Sequence, residues 1–244
     1  MNYRHEQVKP YNDKEEKSKQ VAEMFDNIAP GYDLLNHLLS FNIDKIWRKR
    51  AISSLKGYAP KEILDVATGT GDFALLAHKM LAPQRIVGCD ISDGMMEIAR
   101  QKCRDKNIEN ITFEHEDCTA LTYHDASFDA ATLAFGMRNF DNLEKGLAEL
   151  LRILRHGGHL IALEFSSPVN FPMKQLFPIY SRYIMPFIGR MVSKDSSAYR
   201  YLPESIAAFP QGEQMKEILL RTGFSKVEFH RFTGGICTLY IAQK

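Results

Sequence analysis

"LDVATGTGDFA", residues 64–74, reads as the end of a strand, a glycine-rich turn and the start of a helix. The apolar run around Ile63, Leu64 and Val66 leads into Gly69, Gly71 and Ala74 at G-x-G-x-x-A spacing, and the helical periodicity of DFALLAHKML follows. Asp90 closes the next apolar run, RIVGCD (85–90), about 20 residues on, the separation that a nucleoside-binding βαβ unit needs. Glycines here let a ligand approach the backbone closely, and a carboxylate at Asp90 can accept from both ribose hydroxyls. Nicotinamide dinucleotides and S-adenosylmethionine both meet that description.

Outward from this turn, short strand-like runs alternate with helical ones. NITFEH (110–115), FDAATLAF (128–135) and HLIALEF (159–165) join EILDV (62–66) and RIVGCD as strands, with helices expected over 72–82, 94–105 and 141–155. The connection between the third and fourth strands reads as a loop. Asp141 and Glu144 have the spacing of a capping box, and Gly157-Gly158 would end that helix. KVEFHRF (226–232) and ICTLYIA (236–242) flank Gly234-Gly235 and form a hairpin, so the last strand must run against its neighbour. The expected class is α/β, a mostly parallel seven-stranded sheet with an antiparallel C-terminal strand and helices on both faces.

Residues 1–13 are polar and read as a flexible N-terminus; residues 14–244 read as a single domain. Within it, 14–56 forms lid helices, expected over 14–27 and 34–55 with "APGYD" as the break between them. Residues 166–210 interrupt the alternation with prolines at 168, 172, 178, 186, 203 and 210 and many aromatic residues, an insertion with its own job.

Composition narrows the function. Of 244 residues 45% are hydrophobic, enough for a large core, and 31 Lys plus Arg balance 30 Asp plus Glu. A formal charge of +1 argues against a nucleic-acid partner. Cys89, Cys103, Cys118 and Cys237 are scattered without metal-ligand spacing, so no metal is expected and the thiols read as reduced, in a cytoplasmic protein. No apolar run reaches the roughly 18 residues that cross a bilayer, and the start of the chain lacks an export signal.

Charge separates the two cofactor classes. A dinucleotide sets an anionic pyrophosphate over the glycine turn, where carboxylates are unwelcome, whereas a sulfonium and an ammonium attract them. Asp65 and Asp72 flank the turn and Asp117 follows the third strand, where it can accept from an adenine amine. S-adenosylmethionine is therefore favoured, and a nicotinamide-dependent oxidoreductase is the lesser alternative. Each acid also has a plainer reading: Asp65 capping the glycine turn, Asp72 as a first-turn helix acid, Asp117 starting a loop. The terminal hairpin adds weight, because a sheet that ends this way resembles the Rossmann-like class I methyltransferase fold.

"LAFGMRNF", 133–140, ends an apolar strand in Arg138 and Asn139 at the same carboxyl edge. Two readings are open. Arg138 can pair with Glu164 while Asn139 caps the next helix, or both can face an acceptor, the guanidinium fork suiting an oxyanion.

"MFDNIAPGYDLLNHLLS", "DVATGTGD", "LAFGMRNF", "GGHLIALEFSSP" and "YRYLPESIAAFP" together resemble the ubiquinone/menaquinone biosynthesis C-methyltransferase family, from about residue 20 to the end. The resemblance implies methyl transfer from S-adenosylmethionine to a ring carbon of demethylmenaquinol, giving menaquinol. A 2-methoxy-6-polyprenyl-benzoquinol or another phenol is the alternative acceptor. It further implies that Thr70, Asp90 and the Asp117-Cys118 pair line the cofactor site, beside Asp65, Gly69 and Gly71 already read there from the glycine turn, and that Tyr32 and Asp33 close over it. Ala134 departs from relatives that carry Ser there. Arg138 and Asn139 would then hold the phenolate oxygen while a water or an imidazole takes the proton, with His37 as one candidate. A prenylated naphthoquinol resides in a lipid phase, so "FPMKQLFPIYSRYIMPFIGRMV" reads as a lip for peripheral contact with the inner face of the membrane, with Lys174, Arg182 and Arg190 for headgroups. The other reading makes this segment a cap on the protein's own core or on the partner in a homodimer.

Overall fold

The strands that the glycine turn organises are β1 (Glu62–Val66), β2 (Arg85–Asp90), β3 (Ile111–His115), β4 (Phe128–Ala134), β5 (Leu154–Phe165), β6 (Lys226–Phe232) and β7 (Cys237–Gln243). In the computed structural model, which describes residues 3–12, 14–184 and 196–244, they form one sheet in the order β3-β2-β1-β4-β5-β7-β6. β1 to β5 pair in parallel, and β7 runs antiparallel to both β5 and β6. The chain moves outward from β1 to β3 and then crosses back to β4. That reversal opens a crevice at the carboxyl ends of β1 and β4, where open α/β sheets bind ligands.

The helices are α1 (Lys17–Ile28), α2 (Tyr32–Leu39), α3 (Ile43–Ser53), α4 (Asp72–Leu81), α5 (Asp93–Asp105), α6 (Leu143–Ile153), α7 (Met173–Ile179), α8 (Ser196–Ala208) and α9 (Glu213–Thr222). Both sheet faces are covered. Neighbours Ile63 and Leu64 of β1 enter opposite apolar clusters, Ile63 with Trp47, Ile52 and Phe73 under α3 and α4, Leu64 with Leu147, Leu150 and Leu219 under α6 and α9. Burial on both faces is why β1 is a continuous apolar run rather than an alternating one.

Several boundaries differ from expectation. The 34–55 helix is two, because Phe41 and Asn42 adopt positive φ (51° and 60°) and turn the chain between α2 and α3. The cap of α6 is Asn142, whose Oδ1 accepts from the Lys145 amide at 2.9 Å; Asp141 instead accepts from the Ser18 amide at 3.1 Å. Gly157-Gly158 does not end a helix but lies inside β5, where the register with β4 shifts. Residues 3–12 are packed rather than free. Arg4–Gln7 make a turn of 3-10 helix, Tyr3 Oη donates to Glu144 Oε1 at 2.8 Å, and His5 is fully buried against Phe209, ring centroids 4.9 Å apart. Their polar composition gave no period to read.

Both ring nitrogens of His5 lack a partner. Burial, with Lys17 nearby, pushes its pKa from 6.5 to about 3. Only the unfolded chain therefore binds this proton between pH 6.5 and 3, so stability falls as pH drops through that window. His5→Leu is expected to flatten the acid side of the stability curve with little change at pH 7, as read from urea midpoints between pH 7 and pH 4.

Candidate active site

Gly69, at φ +56°, turns its amide onto Asp90 Oδ2 at 2.7 Å, and the Ser92 amide reaches Asp90 Oδ1 at 3.0 Å. Each oxygen keeps a lone pair for a ligand in the cleft that Asp90 lines. Burial raises the Asp90 pKa, opposed by those amides. Asp117, Cys118, Gly69 and Tyr32 line the same cleft.

Asp65, Thr70 and Gly71 do not line it. Asp65 is buried within the sheet, where Thr132 Oγ1 donates to Oδ1 at 2.6 Å and Thr68 Oγ1 to Oδ2 at 2.7 Å, and burial pushes its pKa to about 6. It fixes the glycine turn to β4 rather than meeting a cofactor. Gly71 begins α4 at φ +78° with its Cα against Ala99, where a Cβ would come within 2.9 Å. Thr70 Oγ1 donates to Asp33 Oδ1 at 2.6 Å, tying the lid to the turn. Lys102 Nζ sits 2.6 Å from both Asp33 and Asp72, so those acids share a cation of their own.

The acidic character of the cleft comes from other residues. Asp90, Glu116, Asp117 and Asp141 line it, with no Lys, Arg or His among the described residues. Asp141 Oδ1 is buried and accepts from no described residue, which leaves an acceptor open to a ligand's donor. Four carboxylates without a cation suit a cationic cofactor and repel a pyrophosphate.

Behind Phe25, Tyr32 and Phe135, which face both spaces, lies a second cavity of about 350 Å³. It is bounded by the lid, by α7 and α8, and by Phe135 stacked on Phe165 at 4.3 Å. Trp47 forms part of its wall, its Nε1 donating to Thr233 Oγ1 at 2.9 Å. In this apolar surround the charged groups, among the described residues, are Asp44, Arg48 and Arg138. Gly136 allows the arrangement, because a Cβ there would lie 2.6 Å from Ala67 Cβ, where the loops after β1 and β4 touch.

Arg138 makes the ion pair with Glu164 that the first reading of the LAFGMRNF stretch expected. Its side chain is 6% exposed, Nη1 lies 2.9 Å from Glu164 Oε1 and also donates to the Phe135 carbonyl, and the guanidinium stands over the Phe165 ring at 5.6 Å. It also lines the large cavity, with Nη2 bonded to no described residue and Nε buried without a partner. From behind, Lys17 Nζ donates to the carbonyls of Arg138 (2.8 Å), His5 (2.9 Å) and Phe140 (3.3 Å), and burial lowers the Lys17 pKa to about 7. Asn139 does not cap α6. It faces the acidic cleft and its Oδ1 accepts from Tyr201 Oη at 3.0 Å, so the two neighbours serve adjoining spaces.

His37 is not among the residues lining either space. Its Nδ1 is 3.1 Å from Asp44 Oδ2, and the carboxylate of Asp44 stands in the cavity instead. Asp44 and Arg48 escaped sequence reasoning. Their signal was a stripe of helix, Asp44, Trp47, Arg48 and Ala51, that carries two charges along a face otherwise built for burial. Among the described residues no group of three His, Cys, Asp or Glu could hold a metal ion, and all four cysteines are unpaired.

Comparison with known proteins agrees with this geometry. Residues 13–244 match the ubiE/COQ5 methyltransferase family. The chain is 56% identical to a demethylmenaquinone methyltransferase of Bacteroides fragilis over the full length of both chains. It is 44% identical to the enzyme of that name from Porphyromonas gingivalis over 98% of each chain. A ubiquinone/menaquinone biosynthesis C-methyltransferase of Geotalea daltonii is 42% identical over 94% of this chain and 98% of its own. Among solved structures, an S-adenosylmethionine-dependent methyltransferase of Thermotoga maritima superposes with TM-score 0.63 at 18% identity, covering 91% of this chain and 99% of its own. These likenesses show the class I methyltransferase fold, as the glycine turn and terminal hairpin led one to expect.

Proposed function

The chain belongs to the ubiE/COQ5 methyltransferase family, and from that premise we propose that it transfers a methyl group from S-adenosylmethionine to a ring carbon of a reduced, prenylated demethylmenaquinol. One observation carries the proposal. A cleft whose charged lining residues, among those described, are all acids shares Phe25, Tyr32 and Phe135 with an apolar cavity that Arg138 lines.

When bound, the cofactor supplies an electrophilic methyl group on a sulfonium. Asp90 would accept from its ribose hydroxyls, and Asp141 Oδ1 and Asp117 from its nitrogen donors. The three shared aromatics keep water from the reacting centre. A quinol ring becomes a carbon nucleophile when a phenol, ordinarily of pKa near 10, ionises. Arg138, permanently protonated and with Nη2 bonded to no described residue, stabilises that oxyanion and is no base itself.

Methyl transfer from labelled S-adenosylmethionine to chemically reduced demethylmenaquinone tests this, beside the oxidised quinone and a 2-methoxy-6-polyprenyl-benzoquinol. Label moving to the naphthoquinol alone supports the reading; label moving only to the benzoquinol replaces the acceptor. Label in neither overturns the reading.

The same reading places the prenyl tail at the cavity mouth. Phe41 and Leu176 line the cavity yet are 69% and 54% exposed, and Phe171, Ile179 and Tyr183, close in sequence to Leu176, Lys174 and Arg182, are exposed too. Arg190 lies outside the described residues. No helix among the described residues is long and apolar enough to cross a membrane, and the patch fits peripheral contact with lipid. The protein is expected to float with anionic phospholipid vesicles, and Phe171→Ser with Leu176→Ser to cut the bound fraction about 10-fold. No binding, together with a dimer on sedimentation, would assign the patch to a second copy.

A further inference from the structure

If the acceptor is a quinol, its hydroxyl proton must go somewhere, and the cavity offers few takers. Arg48 and Arg138 are cations. Burial raises the pKa of the phenols of Tyr32, Tyr180 and Tyr201, so they hold their own protons. Asp44 is the one carboxylate among the described residues of the cavity wall, where no histidine, lysine or cysteine accompanies it.

Asp44 is 2% exposed and held in place. Ser40 Oγ donates to its Oδ1 at 2.7 Å, Arg48 Nε lies 3.6 Å from Oδ2, and His37 Nδ1 lies 3.1 Å from Oδ2 and 3.3 Å from Oδ1. The tight corner between α2 and α3, closed by the Asn42 amide on the His37 carbonyl at 2.8 Å, brings the pair together. Beyond, His37 Nε2 lies 3.8 Å from Asp72 Oδ2, with the imidazole 24% exposed. A buried carboxylate, an imidazole and a half-exposed acid thus run from cavity to solvent.

We propose that Asp44 receives the hydroxyl proton of the acceptor and passes it through His37 to water. This inference rests on the quinol reading above. The quinol O–H bond breaks and leaves its electron pair on the phenolate oxygen, while the proton crosses Asp44 to a ring nitrogen of His37. The imidazolium then lies between Asp44 and Asp72, with Lys102 and Asp33 behind Asp72 and Arg48 beside Asp44. After the ring carbon bonds the methyl group, its C–H proton moves to the ring oxygen and restores the aromatic diol. One proton leaves per methyl transferred, by way of His37.

The test is Asp44→Asn, assayed from pH 6 to 10 with reduced demethylmenaquinone and with a ring-halogenated naphthoquinol whose phenol ionises more readily. Expected is a fall in kcat of about 10²-fold at pH 7, with the S-adenosylmethionine Kd by calorimetry unchanged. The deficit should shrink as pH rises and shrink again with the halogenated acceptor, because neither needs a base. His37→Gln, the second variant should the first not fold, should lose about 10-fold and show the same recovery with pH. A deficit equal at every pH and for both acceptors, or none, overturns the role and leaves Asp44 as a brace for the corner. Failure of the wild-type protein to methylate either acceptor would instead overturn the quinol reading.

Discussion

Arg138→Lys is expected to lower turnover by about 10²- to 10³-fold while the affinity for S-adenosylmethionine stays within a few-fold of wild type. Lysine keeps the positive charge and can still reach Glu164, so the buried pair survives as a contact between point charges. It loses the fork. In wild type one arm of the guanidinium is committed to Glu164 and the Phe135 carbonyl, while Nη2 is bonded to no described residue and Arg138 lines the cavity. An ammonium cannot divide itself between an anchor and an oxyanion. Asn139, not Arg138, faces the acidic cleft proposed for the cofactor, and this is why binding of the cofactor should be spared. Stopped-flow single turnovers and calorimetry separate the two quantities. An equal loss in both would make Arg138 purely a structural residue.

Glu164→Leu should be the most damaging substitution for stability, costing about 3–5 kcal/mol, because it leaves the Arg138 charge buried without its counter-ion. Glu164 is 1% exposed, and besides Arg138 Nη1 it accepts the amides of Arg138 (3.2 Å) and Phe165 (2.9 Å). Urea unfolding measures the loss. The double variant Arg138→Met with Glu164→Leu should regain most of the stability, since an apolar pair of similar volume often replaces a buried ion pair without cost. It should regain no turnover. Stability and activity coming apart in that double variant is the signature of an ion pair kept for chemistry.

The sequence was legible where burial was uniform. β1 and β2 fall on the expected residues because strands covered on both faces must be apolar throughout. The glycine turn and Asp90 were legible for the same reason as in any βαβ unit, being fixed by local spacing. The roles of the acids were not, because their partners arrive from elsewhere in the chain. Asp65 lies in register with Thr132 of the neighbouring strand, and Asp72 meets Lys102 thirty positions on. The orphaned Asp141 Oδ1 became visible only once Asn142 was seen to cap α6. His37 and Asp44 come together through two positive-φ residues that no apolar period announces. Arg138 was readable as a choice between two fates; folding pairs it with Glu164 and sets it in the cavity wall, where the acceptor role is a proposal.

Trp47 is the single tryptophan of the chain and stands in the wall of the large cavity. Excited beyond the tyrosine band, the protein therefore emits from one site. Quinones and quinols quench indole on contact, so acceptor affinity is readable by titration without label or cofactor, and each variant above carries its own reporter of whether the cavity is still filled.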